Sequence, residues 1–347
     1  MIGRRSFGKA LGVGLGVGAA APLAGPPAAS AAAVPAVTPA PAPGTHPAFA
    51  RTKRIRAGVL DVGYAELGPA HGPAVICLHG WPYDIHSYAD VAPLLARQGY
   101  RVIVPYLRGH GTTRFLSART FRNAQQSAIA LDVLALLDAL KIDKAVLAGF
   151  DWGSRTADIV AALWPERCKA LVSVSGYLVT NLAANLKPLA PKAELAWWYQ
   201  YYFSTERGRL ALEDETLRRE LTRLVWDTVS PTWDFDDATF ERTAAAFDNP
   251  DYAAVVVHNY RWRLSLADGE RRYDALEKRL AARPAIAVPT LTLDAERDPF
   301  TAPGHGASYR DRFTGPYEHR TLLGIGHNVP QEAPAAFAQA VLDADRL

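Results

Sequence analysis

The stretch LAGFDWGSRTA, Leu147 to Ala157, decides how the chain is read. It begins as the end of an apolar, strand-like run and finishes as the start of a helical one. At the join, Gly149 and Gly153 stand two residues either side of Asp151. Glycines at those places let a strand turn sharply into a helix and let neighbouring backbone come close, which displays the central side chain at the end of a sheet. The displayed group is a carboxylate. Ser154 does not share the setting, because the residues two before and two after it are Trp152 and Thr156, too bulky for the same turn.

Outward from this turn, short β-branched runs alternate with longer helical ones: AVICLHG (74–80), YADVAPLLARQG (88–99), RVIVPYLRGHG (101–111), AQQSAIALDVLALLDALKI (124–142), KAVLAGFDWG (144–153), SRTADIVAALWPE (154–166) and KALVSVSGY (169–177). Such alternation predicts an α/β fold, a mostly parallel sheet doubly wound with helices on both faces. The helix over 124–140 is the plainest, with Ile129, Val133, Leu136, Leu137 and Leu140 on one stripe. Strand runs vanish after Leu178 and return at AIAVPTLTLDAERD (285–298). Residues 51–178 and 285–347 are therefore expected to form the core, and 179–284 an inserted helical cap.

Ahead of the core, Arg4 and Arg5 precede a Gly/Ala-rich run that ends in the small residues AASAAA. Residues 1–33 read as a signal peptide of twin-arginine type, which implies export to the periplasm or beyond, and the Pro/Ala-rich residues 34–50 as a linker. Gly and Pro dilute the run too much for a membrane-spanning helix. The formal net charge is +3; Arg4, Arg5 and Lys9 account for all of it, so the mature chain is near neutral and carries no signature of nucleic-acid or anionic-membrane binding. The basic run at Arg51 to Arg56 reads as a solvated first strand. Cys77 and Cys168 lie in apolar strand contexts and read as buried thiols. No metal-ligand spacing or cofactor motif occurs, and oligomeric state is not encoded in any pattern.

Reactive groups in open α/β sheets gather beyond the carboxyl ends of the strands. Two further runs end that way: TLTLDAERDP places Asp298 just past a strand, and TLLGIGHN places His327 just past the next. The loop LHGWP (78–82) supplies the backbone N–H of Trp81, which with that of Trp152 forms a candidate oxyanion hole. A carboxylate is a competent nucleophile toward an sp³ carbon bearing a leaving group and would give an alkyl-enzyme ester. His327, oriented by Asp298, would then activate water against that ester. The substrate expected is a small apolar molecule, with water as co-reactant. His86, His110, His258, His305 and His319 lack such a setting and read as structural or solvated.

HGWP, GFDWG, AERD and GIGHNVPQEAP resemble the oxyanion loop, nucleophile turn, acid and base of the epoxide hydrolase and haloalkane dehalogenase branch of the α/β-hydrolases. The resemblance runs from about Arg51 to the end. It implies epoxide opening to a vicinal diol, with haloalkane or haloacid dehalogenation as the alternative and a non-catalytic ligand-binding homologue as a third reading. In epoxide hydrolases two cap tyrosines donate to the ring oxygen; WWYQYYF (197–203) resembles the first segment, with Tyr199 at the matching place, and HNYRWR (258–263) the second, with Tyr260. Phenols, with a pKa near ~10, stay protonated at neutral pH and suit the task. The chain departs from the branch at Tyr106, where relatives usually carry Asp, and at Phe150, where epoxide hydrolases often carry His. Phe150 and Arg155 are candidate substrate-binding residues. Arg155 resembles an arginine of fluoroacetate dehalogenases that binds the substrate carboxylate, but the residue after Asp151 is Trp152, not the Arg of those enzymes, and a structural ion pair is the other reading of Arg155.

Overall fold

A computed structural model of the chain describes residue 49, residues 51–300 and residues 306–347. The expected signal peptide at 1–33, most of the linker at 34–50, and His305 lie outside the described residues.

The chain enters the sheet through a hairpin, β1 (Lys53–Ala57) and β2 (Leu60–Leu67). β1 is the edge strand; Lys53, Arg54 and Arg56 are exposed, and Lys53 and Arg54 pair across the hairpin with Glu66 at 2.7 Å and Asp61 at 2.7 Å. Charged edges of this kind discourage pairing with other chains. Then come β3 (Ala74–Leu78), α1 (Val91–Arg97), β4 (Arg101–Pro105), the short β5 (Arg114–Phe115), α2 (Gln126–Ala139), β6 (Ala145–Gly149), α3 (Trp152–Leu163) and β7 (Cys168–Val174).

Strand order is β1-β2-β4-β3-β6-β7-β8-β9, with β5 on β2. The last two members are β8 (Thr290–Ala295) and β9 (Tyr317–Leu322). From β4 through β9 the pairing is parallel, whereas β2 meets β1, β4 and β5 antiparallel. From β3 the chain crosses through α1 to β4 on one side, and from β6 through α3 to β7 on the other. Right-handed crossovers in opposite directions put the helices on opposite faces, so β6 is buried throughout and β3 and β7 nearly so. Cys77 in β3 and Cys168 in β7 are free, buried thiols, and burial pushes both pKa values up, that of Cys168 to about 12.

Between β7 and β8 the chain is helical: α4 (Leu182–Asn185), α5 (Pro191–Ala196), α6 (Trp198–Ser204), α7 (Glu206–Glu213), α8 (Glu215–Val229), α9 (Asp237–Ala244), α10 (Tyr252–Arg263) and α11 (Asp274–Ala281). Side-chain caps start several of them, from Asn181, Thr205, Asp214 and Asp236. After β9 come α12 (Val329–Glu332) and α13 (Pro334–Ala344).

The turn between β6 and α3 depends on contact distance. A Cβ on Gly153 would lie 1.9 Å from the Leu78 carbonyl oxygen, and one on Gly149 2.4 Å from the Gly153 carbonyl carbon. Both obstacles are backbone and cannot swing away. Gly153→Ala is expected to lower stability by at least about 2 kcal/mol, as severe overpacking does; a urea midpoint equal to that of the parent would show that the approach of α3 to β3 is looser than described.

Candidate active site

Asp151 sits at φ 52° and ψ −120°, a conformation that L-residues avoid and that β6 and α3 impose from either side. Its Oδ1 accepts the Trp81 backbone N–H at 2.8 Å. The other proposed oxyanion donor, Trp152 N–H, opens α3, where a helix leaves its first amides without internal partners. Trp81 is held from two directions. His79, fully buried, sets its ring against the Gly80 carbonyl through Nδ1 at 2.8 Å and accepts the Leu107 N–H on Nε2 at 3.1 Å; burial keeps its pKa well below the ordinary value, so it is the neutral ring that Leu107 requires. The Trp81 indole N–H donates to the Tyr252 hydroxyl of α10 at 2.8 Å. His79 was not singled out among the sequence candidates, although it lies within the loop motif.

His327 reaches the site from the loop after β9. Its Nδ1 contacts Asp298 Oδ2 at 2.7 Å, and its Nε2 lies 3.7 Å from Asp151 Oδ2. The Phe300 N–H holds the other Asp298 oxygen at 2.9 Å. Burial alone would push the imidazole pKa down, but the Asp298 charge and the contact with Asp151 outweigh it and raise it to about 10. Asp151 is pushed up by burial and pulled further down by His327, Arg155 and the Trp81 amide, for a net fall. At neutral pH the pair is carboxylate and imidazolium. Were the Asp151 charge removed, the imidazolium would lose that support and release its Nε2 proton more readily.

Helices between β7 and β8 bring rings to this arrangement. Tyr199 on α6 and Tyr260 on α10 are both buried and meet edge to face at 5.7 Å, and each ring lies against Trp81, at 5.4 and 5.3 Å. Tyr199 also packs on Phe300, which stands edge-on to His327 at 5.5 Å. Burial first, then the Asp151 charge, raises the Tyr199 pKa; burial, Tyr199 and Asp151 do so for Tyr260. Both therefore stay protonated. Tyr201, two residues along α6, points outward and pairs with Glu194, and this difference in facing follows from the helix turn. Phe150 is fully buried between Tyr83 at 5.1 Å and His327 at 6.0 Å.

Arg155 corrects its ion-pair reading. It has no carboxylate at ion-pair distance among the described residues, and its Nε donates to the Leu178 carbonyl at 3.3 Å. Leu178 N–H in turn donates to Asp158 Oδ2 at 2.7 Å. One turn of α3 thus grips the peptide where the chain leaves β7 for the helices that follow. Burial and the nearby Arg263 charge lower the Arg155 pKa to about 10. Ser154 is committed elsewhere, donating to the Gly149 carbonyl at 2.7 Å and accepting the Val174 N–H at 2.9 Å. Tyr106 fills the space that a side chain at Gly111 would need. Among the described residues no His/Cys/Asp/Glu group could hold a metal ion, and no helix is long and apolar enough to cross a membrane.

Residues 73–334 match the family model of the alpha/beta hydrolase fold. Epoxide hydrolase B of Mycobacterium tuberculosis is 33% identical over 172 residues, 46% of this chain and 47% of that protein; the chain thus spans about half the length of this curated relative. A haloalkane dehalogenase of Mycobacterium marinum is 30% identical over 216 residues, 58% of this chain and 67% of that one. A crystal structure from Klebsiella pneumoniae, provisionally assigned as an epoxide hydrolase, superposes with a TM-score of 0.84 at 58% identity, covering 86% of this chain and 98% of that one. One from Pseudomonas aeruginosa, with the same provisional assignment, has a TM-score of 0.71 at 22% identity and covers 85% of this chain and 96% of that one, a likeness of fold alone.

The coupling of His327 to Asp151 can be read directly. Imidazole nitrogen NMR should place the His327 titration well above the ordinary histidine range, and Asp151→Asn should lower it by at least about one unit, because a neighbouring anion that favours imidazolium has been removed. An unchanged titration would mean that Asp298 alone sets the charge of the ring.

Proposed function

The chain belongs to the alpha/beta hydrolase fold family, and from that premise we propose that it is an epoxide hydrolase working through an Asp151 alkyl-enzyme ester. The observation that carries the reading is the pair of protonated phenols, Tyr199 and Tyr260, brought from two cap helices onto Trp81, the residue whose amide holds Asp151. A leaving group that develops charge on oxygen needs acids at that place.

In this reading Asp151 Oδ2 attacks a ring carbon, the carbon–oxygen bond of the ring breaks, and a phenol proton passes to the alkoxide. Oδ1 becomes the ester carbonyl oxygen, already on the Trp81 amide. His327 first passes its Nε2 proton to the phenolate, and the neutral Nε2 then takes a proton from water, whose oxygen attacks the ester carbon. The oxyanion is received by Trp81 and Trp152, and collapse releases the diol and restores the carboxylate beside a protonated His327. Residues 179–284 act as the cap that supplies the phenols, and Phe150 lines the apolar end of the site. Export by the residue 1–33 signal is part of the same proposal and rests on sequence alone.

The dehalogenase relative supports a second reading, in which halide leaves without a phenol. The two part on one measurement. Tyr260→Phe and Tyr199→Phe keep the ring packing and lose only the hydroxyl; each is expected to slow alkyl-enzyme formation from an epoxide by about tenfold or more, since the donor acts mainly in the transition state. Parent rates in both variants, or a parent that releases halide and ignores epoxides, would move the assignment to dehalogenation. His327→Gln should accumulate the adduct, visible as added substrate mass in the intact protein, and a bound substrate without adduct would remove His327 as the base of the second step alone.

A further inference from the structure

The loop that carries His327 is fastened by two residues that the reaction itself does not use. Glu332, at the end of α12, is buried. Its Oε2 accepts the Gly326 N–H at 2.6 Å, and its Oε1 accepts the Asn328 N–H at 3.0 Å and the Ser230 hydroxyl at 2.6 Å. Ser230, the residue that ends α8 in the helical insertion, accepts the N–H of His327 on its Oγ at 3.0 Å, and the Val229 carbonyl shares that N–H at 3.1 Å. Three consecutive amides, one before the base, its own and one after, are thus held by a core carboxylate and an α8 terminus together. The fit is close: a Cβ on Gly326 would lie 2.6 Å from Ser230 Cα.

A buried carboxylate without a cation is costly, and Glu332 has none at ion-pair distance among the described residues. What it has is polarity. An ionised carboxylate only accepts, and here three donors converge on it. Because Ser230 gives its proton to Glu332, its lone pairs are turned toward the His327 amide.

We propose that Glu332 and Ser230 are positioning residues, a clasp between cap and core that sets His327 for ester hydrolysis and leaves the attack of Asp151 untouched. The proposal rests on the epoxide reading above. Asp151 is placed by its own turn and by Trp81, neither of which involves the clasp. The imidazole must meet a water within a few tenths of an ångström, and it hangs from the amides that the clasp holds. In Glu332→Gln one acceptor oxygen becomes an amide donor facing a backbone N–H or the serine hydroxyl, so at least one of the three bonds is lost at unchanged volume.

Single-turnover reactions with an epoxide, quenched and read by intact mass, separate the steps. Formation of the adduct should stay within about twofold of the parent in both variants, while its decay slows about tenfold or more in Glu332→Gln and about threefold or more in Ser230→Ala. The double variant should be about as slow as Glu332→Gln, because both break one clasp. Thermal melts establish that the variants are folded, and Ser230→Ala, which removes a single hydroxyl, carries the test if Glu332→Gln does not fold. Decay at the parent rate, or formation slowed as much as decay, overturns the clasp alone. A parent that forms no adduct from any epoxide overturns the epoxide reading, and this role for the clasp with it.

Discussion

One hydrogen bond, from the Trp81 amide to Asp151 Oδ1, is the interaction around which the rest is arranged. It requires Asp151 to stand at positive φ, which a tight strand-to-helix turn enforces. That turn requires α3 to lie against β3 with no side chain between, hence glycine at 153. The turn can be strained because the sheet beneath it is buried and continuous; parallel strands β3, β6 and β7 fix the backbone on both sides of the elbow and offset the cost. Local strain and global packing are two ends of one arrangement.

Electrostatically, the site alternates charges along a line: Asp298, His327, Asp151. Each buried charge is tolerated because the next has the opposite sign. In the proposed reaction, esterification would break the line at Asp151 and lower the proton affinity of His327, so the charge arrangement itself favours attack before hydrolysis.

Much of this was legible in the sequence, and the reason is periodicity. β3, β6, β7 and β8 read as short apolar runs because parallel strands are buried on both faces, and the residue just past each run then falls at the carboxyl edge of the sheet. Asp151 and Asp298 follow such runs, whereas His327 follows the half-buried β9 and was legible from the order of the matched segments. Tyr199 was harder to tell from Tyr201 and Tyr202, since six of the seven residues of WWYQYYF are aromatic and only the helix turn separates inward from outward. What stayed hidden depends on contacts between distant segments. Arg155 looked like half of an ion pair because an isolated arginine gives no sign that its partner is the Leu178 carbonyl. Ser230 and Glu332 lie about a hundred residues apart, and neither carries a local pattern. His79 lies within HGWP yet gives no local sign of its role, because its work is to hold backbone and not substrate.

Trp81 has a further consequence, for traffic. Its amide holds Asp151, its indole N–H bonds Tyr252, and its ring lies against Tyr199, Phe203 and Tyr260; one position along, the Pro82 carbonyl accepts the Trp226 indole of α8 at 2.7 Å. Swinging the helical region away as a rigid door would break both indole hydrogen bonds and the ring contacts of Trp81 together. Displacing one ring at a time within a fixed frame would break fewer of these contacts together. The helices over the cleft behave as a keystone, and variation in what the protein accepts must fall on positions that bear none of that weight.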